Sequence, residues 1–242
     1  MRRPKLLDLY CCEGGASRGF AWAGFDVYGV DLFVDFSQDR YPYPSAKGDA
    51  LTIMHHLLAG ASVAFKHKDG RVEWLGLDDF AAWVGSPPCQ ASCALTKGTN
   101  KGREYINLIP QTRELFAASG LPTVIENVQG SDLRRDLTLC GEMFGLGVIR
   151  HRYFEISGFE ATAPAHRPHR GRVRGWRHGA YYDGPYVAVY GDGGGKGSVA
   201  EWQEAMGIDW TDDRKAIAEA VPPSYTEHIG RQLLAHIEER AA

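Results

Sequence analysis

The sequence predicts an α/β fold, in which a doubly wound and mostly parallel sheet carries helices on both faces. Two observations support this prediction. Apolar strand-like segments alternate with helical patterns between residues 5 and 128, and acidic or reactive side chains stand at the ends of these strands. The composition agrees, because 242 residues with 44% hydrophobic and 24% charged side chains suit one globular domain with a small appendage.

The first half of the chain alternates strand and helix signals. The predicted elements are a strand over 5–10, a helix ending near Trp22, a strand over 25–31, a helix over 51–58 and a hairpin over 62–75. Gly14 and Gly15 form the turn before the first helix, and Asp69-Gly70 supplies the positive φ of the hairpin turn. Asp31 ends the second strand, where an acidic side chain in a doubly wound fold can accept hydrogen bonds from ribose hydroxyls. This position predicts a nucleoside-binding site.

The second half begins with the same alternation and then becomes less regular. The predicted elements are a strand over 80–84, a helix over 104–119, a strand over 122–128, a strand over 186–190, a helix over 199–206 and a C-terminal helix after Pro222-Pro223. The last helix carries its apolar residues on one side, so we expect it to pack onto the sheet.

A cysteine placed just after a buried strand is the first candidate for chemistry. The segment Ser86-Pro87-Pro88-Cys89-Gln90 follows the apolar run 80–84, and its two prolines favour a stiff, extended loop. Such a loop holds Cys89 at a defined position, and a cysteine thiolate is a strong nucleophile. The alternative is a buried, inert thiol, which is the commoner state of a free cysteine.

The ends of four strands are expected to meet at one crevice. In open α/β sheets, ligands bind beyond the carboxyl ends of the strands. Tyr10, Asp31, Cys89 and Glu126 all stand at such ends. Their predicted convergence favours the functional interpretation of Cys89 over the inert one.

One stretch of the chain is strongly basic. Residues 165–178 combine five arginines and three histidines with Trp176, among glycines and prolines. The arginines are Arg167, Arg170, Arg172, Arg174 and Arg177. The stretch is either a solvated loop or a nucleic-acid contact in which arginines hold phosphates, and the rest of the predicted site favours the contact.

Composition and charge argue against several other classes. No apolar run of about eighteen residues is present, and the N-terminus lacks an apolar signal region, so we expect a cytoplasmic protein. The formal net charge of -3 argues against a uniformly basic coat but allows a local basic patch. The five cysteines show no paired Cys-x-x-Cys pattern, so we expect reduced thiols without a metal.

Taken in order, the motifs resemble those of the cytosine carbon-5 DNA methyltransferases, in a short phage- or bacterial-type form. The resemblance reaches from the first strand to the last helix. It rests on residues 8–15, Gly48-Asp49-Ala50, Pro87-Pro88-Cys89-Gln90, Glu126-Asn127-Val128, residues 150–154 and Ala220-Val221-Pro222-Pro223. Any one of these motifs is weak alone, whereas the ordered set is specific.

The resemblance implies a Rossmann-like, S-adenosylmethionine-dependent methyltransferase fold together with a set of site residues. The implied catalytic residues are Cys89, Glu126, Arg150 and Arg152. The residues implied to bind S-adenosyl-L-methionine are Asp8, Tyr10, Cys12, Gly14, Gly15, Asp31, Asp49, Pro88, Glu219 and Ala220. Gln90 and the five arginines of the basic stretch are expected to contact double-stranded DNA, and we expect the protein to be a monomer.

The resemblance also implies a division of the chain and a reaction. Residues 1–157 form a catalytic and cofactor-binding core, 158–210 a small target-recognition or DNA-contacting segment, and 211–242 a helical return to the core. In the implied reaction, Cys89 adds to carbon 6 of a cytosine flipped out of the duplex, and carbon 5 then takes the methyl group. Glu126 holds or donates a proton at ring nitrogen 3, and Arg152 donates a hydrogen bond to the carbonyl oxygen of the base.

Departures from the family pattern leave alternatives open. Cys12 stands where the first glycine of the glycine motif is usual, and Ala218-Glu219 replaces a Gly-Asn pair before Ala220. One alternative is therefore an enzyme that transfers a modified group from an analogue of S-adenosylmethionine. The others are an RNA cytosine methyltransferase, a non-catalytic DNA-binding protein, and a nicotinamide-dependent oxidoreductase, which the missing Gly-x-Gly-x-x-Gly fingerprint disfavours.

Overall fold

A computed structural model describes residues 3–33, 40–88, 106–190 and 197–241. The strands are β1 (Lys5–Leu9), β2 (Asp26–Asp31), β3 (Ser45–Lys47), β4 (Val63–Lys66), β5 (Val72–Leu75), β6 (Ala82–Gly85), β7 (Thr123–Val128), β8 (Leu137–Leu139), β9 (Arg152–Ser157), β10 (Gly175–Arg177) and β11 (Ala180–Tyr182). The helices are α1 (Gly15–Ala23), α2 (Ala50–Leu58), α3 (Ile109–Ser119), α4 (Val199–Met206), α5 (Arg214–Glu219) and α6 (Pro223–Ala241).

The described strands build one large mixed sheet and one small hairpin. The large sheet has nine strands in the order β5-β4-β3-β2-β1-β6-β7-β9-β8, and β10 pairs with β11. The five central strands from β3 to β7 run parallel, and the strands on both flanks are antiparallel. The chain winds outward from β1 in both directions, so the carboxyl ends of β1 and β6 form the switch point at which such sheets bind ligands. The predicted fold class is confirmed.

Helices cover both faces of the sheet because its central strands are apolar on both sides. In β1, all residues after Lys5 are buried, as is usual for a parallel strand covered on both faces. The buried side chains divide into one cluster that includes α2 and α3 residues and another that includes α1 and α6 residues. Glycines let α1 and α6 approach closely, since a Cβ on Gly19 would lie 2.0 Å from the Pro223 carbonyl oxygen.

A second, smaller apolar cluster lies outside the sheet. Trp202 and Met206 of α4 pack with Ile217 of α5. The other buried members of the cluster are Val148, Val189, Ala205 and Ile208. This cluster draws on residues from either side of the predicted boundary at residue 211. The segment 199–220 therefore packs as one unit.

Most predicted elements are present, with two differences. Helix α3 begins at Ile109 and does not include residues 106–108, because Pro110 suits a first helical turn and the Asn107 side chain accepts the Ile109 N–H (3.1 Å); residues 104 and 105 of the predicted helix lie outside the described residues. The predicted strand over 186–190 was wrong, since only Tyr186 makes a bridge, to Val173. Its apolar pattern reflects burial of an irregular segment. Among the helices of the described residues, none is long and apolar enough to cross a membrane.

Candidate active site

A cleft of about 430 Å³, counting the part open to solvent, lies beyond the carboxyl ends of β1 and β6. Several residues predicted to bind a cofactor line it: Asp8, Tyr10, Cys12, Gly15, Glu219 and Ala220. The first four belong to β1 and the turn into α1, and the last two to the end of α5 and the residue after it. The two ends of the predicted motif series therefore meet across one cleft.

The turn between β1 and α1 has an unusual backbone. Tyr10 and Cys12 have φ angles of 62° and 48°, in the left-handed region that favours glycine, and Gly14 follows with 85°. The Cys12 N–H donates to Asp31 Oδ2 (3.0 Å), which links the turn to the end of β2. Desolvation and the Asp31 carboxylate raise the pKa of the Cys12 thiol to about 12. The cysteine therefore adds bulk to the turn but no charge near pH 7.

Below this turn, Asp8 is buried in a short chain of hydrogen bonds. The Ser17 hydroxyl donates to Asp8 Oδ2, and its oxygen lies 2.8 Å from the Tyr41 hydroxyl. Burial raises the pKa of Asp8 from 3.8 to about 7, although the hydrogen bond from Ser17 lowers it. Asp8 is thus partly protonated near neutral pH.

Asp31 and Asp49 lie at the carboxyl edge of the sheet and already accept hydrogen bonds from their own chain. Asp31 Oδ1 accepts the Phe33 N–H (2.9 Å), in addition to the bond from Cys12. Asp49 caps α2, and its Oδ1 accepts both the N–H and the hydroxyl of Thr52 (2.8 Å each). Of these two carboxylates, Asp31 is joined directly to a residue that lines the cleft.

The buried pair of Glu126 and Arg152 lies at the end of β7 and the start of β9. The Arg152 Nε atom lies 2.9 Å from Glu126 Oε1, and Glu126 is 8% exposed. Burial raises the pKa of Glu126 above its usual 4.5, while Arg152, a hydrogen bond from Ser86 and the charge of Arg150 lower it. Burial is the larger effect, so Glu126 retains a proton to higher pH than an ordinary glutamate.

Asn127 ties the neighbouring proline loop to β7. Its Nδ2 donates to the Pro87 carbonyl oxygen (2.8 Å), and Asn127 is buried. Pro88 is exposed at the end of the described part of this loop. The predicted nucleophile Cys89 and the predicted DNA contact Gln90 follow directly and lie outside the described residues.

Arg150 is buried, and its guanidinium reaches three main-chain carbonyls. The acceptors are the carbonyl oxygens of Val189 (3.1 Å), Ala218 (2.5 Å) and Ala220 (2.9 Å). The Tyr225 hydroxyl in turn donates to the Arg150 carbonyl oxygen (2.7 Å). These bonds hold the segment that carries Glu219 and Ala220 against the cleft, whereas Arg152 is the arginine in contact with Glu126.

Sequence reasoning missed part of the cleft wall. Trp210, Ile208 and Thr211 also line the cleft, and Trp210 Nε1 donates to the Glu13 carbonyl oxygen (2.8 Å) in the turn after β1. The guanidinium of Arg18 lies 4.6 Å from the Trp210 ring. In the sequence, the presence of Trp210 before the short helix α5 is the one local feature that marks this wall. Nothing near it in the sequence indicates its contacts with Glu13 and Arg18.

The basic segment forms a hairpin with exposed aromatic rings, but its arginines differ in their contacts. Trp176 and Tyr181 are exposed, and their ring centroids are 5.6 Å apart. Arg170 pairs with Glu142 (3.0 Å), and Arg174 pairs with Glu201 (2.5 Å). Arg172 stacks over the Tyr182 ring, Arg167 is exposed, and Arg177 lies in β10. The arginine set is therefore partly engaged within the protein.

Comparisons with known proteins identify the fold. No protein-family model matches the chain, and no curated protein matches it by sequence. A crystal structure from E. coli, described as a candidate DNA modification methyltransferase encoded within a prophage, is 13% identical, with a TM-score of 0.57 over 98% of this chain and 99% of that chain. The S. pombe Dnmt2 methyltransferase is 11% identical, with a TM-score of 0.55 over 97% and 99%. The chain shares the Rossmann-like fold of these two methyltransferase structures.

Proposed function

We propose that this protein is a DNA cytosine carbon-5 methyltransferase that uses S-adenosyl-L-methionine. The observation that carries the proposal is the buried contact between Glu126 and Arg152, beside the loop that leads to Cys89 and next to the cleft at the switch point. A proton-retaining acid and a cation beside a loop that continues into a cysteine supply the groups that nucleophilic addition to a cytosine ring requires.

The acidic and aromatic side chains at the cleft suit a cationic nucleoside cofactor. Asp31 and Glu219 supply carboxylates near the β1 turn, and Trp210 supplies an aromatic wall. We assign Asp31 to the ribose hydroxyls and the turn from Tyr10 to Gly15 to the amino-acid part, with Asp49 and Pro88 at the adenine side. When bound, S-adenosylmethionine supplies an electrophilic methyl group.

The residues of this chain prepare the base. The Cys89 thiolate adds to carbon 6 of the cytosine, and Glu126 donates a hydrogen bond or a proton at ring nitrogen 3, which disperses the negative charge of the adduct. Arg152 orients Glu126 and donates to the carbonyl oxygen of the base. Once carbon 5 carries the methyl group, its proton passes to water, Glu126 takes back the proton at ring nitrogen 3, and the thiolate leaves, which restores the aromatic ring.

The hairpin β10–β11 and the residues before it form the proposed DNA contact. Exposed arginines can hold phosphates, and exposed aromatic rings can stack on bases or enter a groove. Trp176 and Tyr181 on the hairpin, with Arg172 just before it and stacked on Tyr182, present both chemistries close together. A base removed from the duplex could then reach Glu126.

Labelled S-adenosylmethionine tests the proposal directly. The protein is incubated with cytosine-rich duplex DNA or with transfer RNA, the nucleic acid is digested, and the nucleosides are identified by mass. Labelled 5-methylcytosine from DNA is expected. Label only in RNA would assign the RNA activity, and no labelled nucleoside from either substrate would refute the methyltransferase proposal.

Two variants separate the proposed roles. Cys89→Ser is expected to abolish turnover, since the serine hydroxyl is a far weaker nucleophile at neutral pH. Glu126→Gln is expected to slow it by about 10²–10⁴-fold with the fold intact, because an amide cannot donate the proton. A fully active serine variant would contradict the covalent mechanism.

A further inference from the structure

A cluster of one cysteine and three histidines lies outside the cleft. The ligand atoms of Cys140, His151, His166 and His169 all lie within 4.8 Å of one another. Cys140 Sγ is 3.5 Å from His169 Nε2, and the imidazole rings of His166 and His169 are 5.0 Å apart. The Cys140 thiol is fully buried, whereas His166 is exposed, so the cluster extends from the buried thiol to the protein surface.

Two different parts of the chain build this cluster. Leu139 and Arg152 are register partners in the antiparallel pair β8–β9, so Cys140 and His151 lie side by side where the two strands continue. His166 and His169 come from the irregular segment between β9 and β10, in a His-x-x-His spacing. A strand pair therefore supplies half of the set, and a loop with no helix or strand of its own supplies the other half.

We propose that these four side chains form a structural zinc site. Imidazole nitrogens and a thiolate are the ligands that Zn²⁺ prefers, and four protein ligands with no open position are typical of structural rather than catalytic zinc. Around a tetrahedral zinc, such ligand atoms lie about 3.3–3.7 Å apart. The Cys140–His169 spacing of 3.5 Å already matches this geometry, and the widest spacing, at most 4.8 Å, must contract by about 1–1.5 Å.

Neighbouring side chains hold the loop in the position that the site requires. Arg170, directly after His169, pairs with Glu142, and its N–H donates to the Tyr186 hydroxyl (2.8 Å). The Tyr186 hydroxyl also donates to Glu142. These contacts hold the backbone next to His169 in place and so limit where its imidazole can lie.

The position of the site suggests its purpose. In the sequence, His151 lies between Arg150 and Arg152, and His169 lies within the basic stretch of residues 165–178, before the hairpin β10–β11. A zinc ion would join the strand that carries the Glu126 partner to the segment proposed to contact DNA. A loop without secondary structure gains order from such a link, since the metal contributes binding energy that a small apolar contact cannot.

Metal content tests the site without any methyl-transfer assay, so its failure and the failure of the proposed function are distinguishable. The full chain is stripped with a chelator, mixed with Zn²⁺, separated from free metal by gel filtration and analysed by elemental mass spectrometry. One zinc per chain is expected. A chain that retains no stoichiometric zinc would overturn the proposal.

Ligand variants locate the site. His166→Ala and His169→Ala are expected to weaken zinc binding by at least about 100-fold, while His55→Ala, which alters an exposed histidine of α2, should bind as the wild type does. With Co²⁺ as the probe, the wild type should show a thiolate-to-metal charge-transfer band that Cys140→Ser lacks. The two loop variants decide the matter if Cys140→Ser does not fold, and wild-type zinc retention in both would refute the site.

Limited digestion with trypsin tests whether the metal holds the loop. Cleavage after Arg170 or Arg172 is expected to be several-fold faster after chelation than with stoichiometric Zn²⁺, and equally fast in His169→Ala under both conditions. Identical cleavage rates of the wild type with and without zinc would refute the ordering role.

Discussion

At the scale of single residues, Asp8 shows how burial controls charge beside the cleft. Its pKa of about 7 means that the folded protein favours the neutral carboxyl. The stabilising contribution of this group is therefore fully present below its ordinary pKa of 3.8 and is lost as the pH rises through about 7. The difference between the two pKa values corresponds to about 4 kcal/mol once the group is fully ionised.

Asp8→Asn should remove this pH dependence, since the amide stays neutral and can still bond to Ser17. The free energy of unfolding of the variant, relative to the wild type, is expected to increase between pH 5 and pH 8 in urea titrations. Glu73→Gln is a control in which the pKa shift has the opposite direction, because hydrogen-bond partners lower the pKa of Glu73 to about 2. Its difference from the wild type should stay constant over that range, and a constant difference for Asp8→Asn would contradict the buried-acid interpretation.

At the scale of elements, Asn127 connects β7 to the loop after β6. Asn127→Ala leaves the Pro87 carbonyl oxygen without its donor and should cost about 1–3 kcal/mol of stability. The rate of methyl transfer should fall by more than the loss of stability accounts for, because the loop that leads to Cys89 loses its hydrogen bond to β7. Chemical unfolding and single-turnover transfer measure the two effects.

Ser119→Ala provides the matched control for Asn127→Ala. Ser119 donates to the Phe116 carbonyl oxygen (2.7 Å) at the end of α3, at the opposite edge of the sheet from the cleft. The Ser119→Ala variant should be less stable than the wild type but should transfer methyl groups at the wild-type rate. Unchanged transfer in Asn127→Ala would show that the proline loop does not need this bond.

The contact between α1 and α6 depends on the absence of a side chain at Gly19. A Cβ there would lie 2.0 Å from the Pro223 carbonyl oxygen and 2.1 Å from Thr226 Oγ1. Gly19→Ala should therefore destabilise the protein by about 1–3 kcal/mol or more, as overpacking does. Gly76→Ala is the control, since its nearest neighbour would be 3.8 Å away, and equal unfolding midpoints for the two variants would contradict this packing.

At the scale of the whole molecule, the net charge of -3 makes DNA binding depend on a local patch. Arg167 and Arg172 face outward, whereas Arg170 and Arg174 pair with glutamates. Replacing Arg167 and Arg172 by alanine should reduce the salt dependence of DNA affinity by about one unit of slope each, measured by titration at several salt concentrations. Replacing Arg170 and Arg174 should mainly lower the melting temperature. Equal slopes for the two double variants would contradict this division.

Different kinds of information fixed the fold and the site. Strand and helix patterns predicted the central sheet, because buried parallel strands are continuously apolar and the flanking glycines mark turns at the sequence level. The same reasoning gave a strand over 186–190 that is absent, since Tyr186 and Val189 are buried in an irregular segment. Apolar patterning reports burial and not hydrogen-bond pairing.

The sequence by itself determined the doubly wound fold class, and its motifs indicated Glu126 and the cleft-lining acids, because these residues belong to local segments at strand ends. Only the tertiary structure decided the partners. Arg152 contacts Glu126 while Arg150 binds main-chain carbonyls, Trp210 closes the cleft, and Cys140 meets three histidines. These contacts join segments far apart in the chain, and local propensity carries no information about which distant side chains the packed sheet brings together.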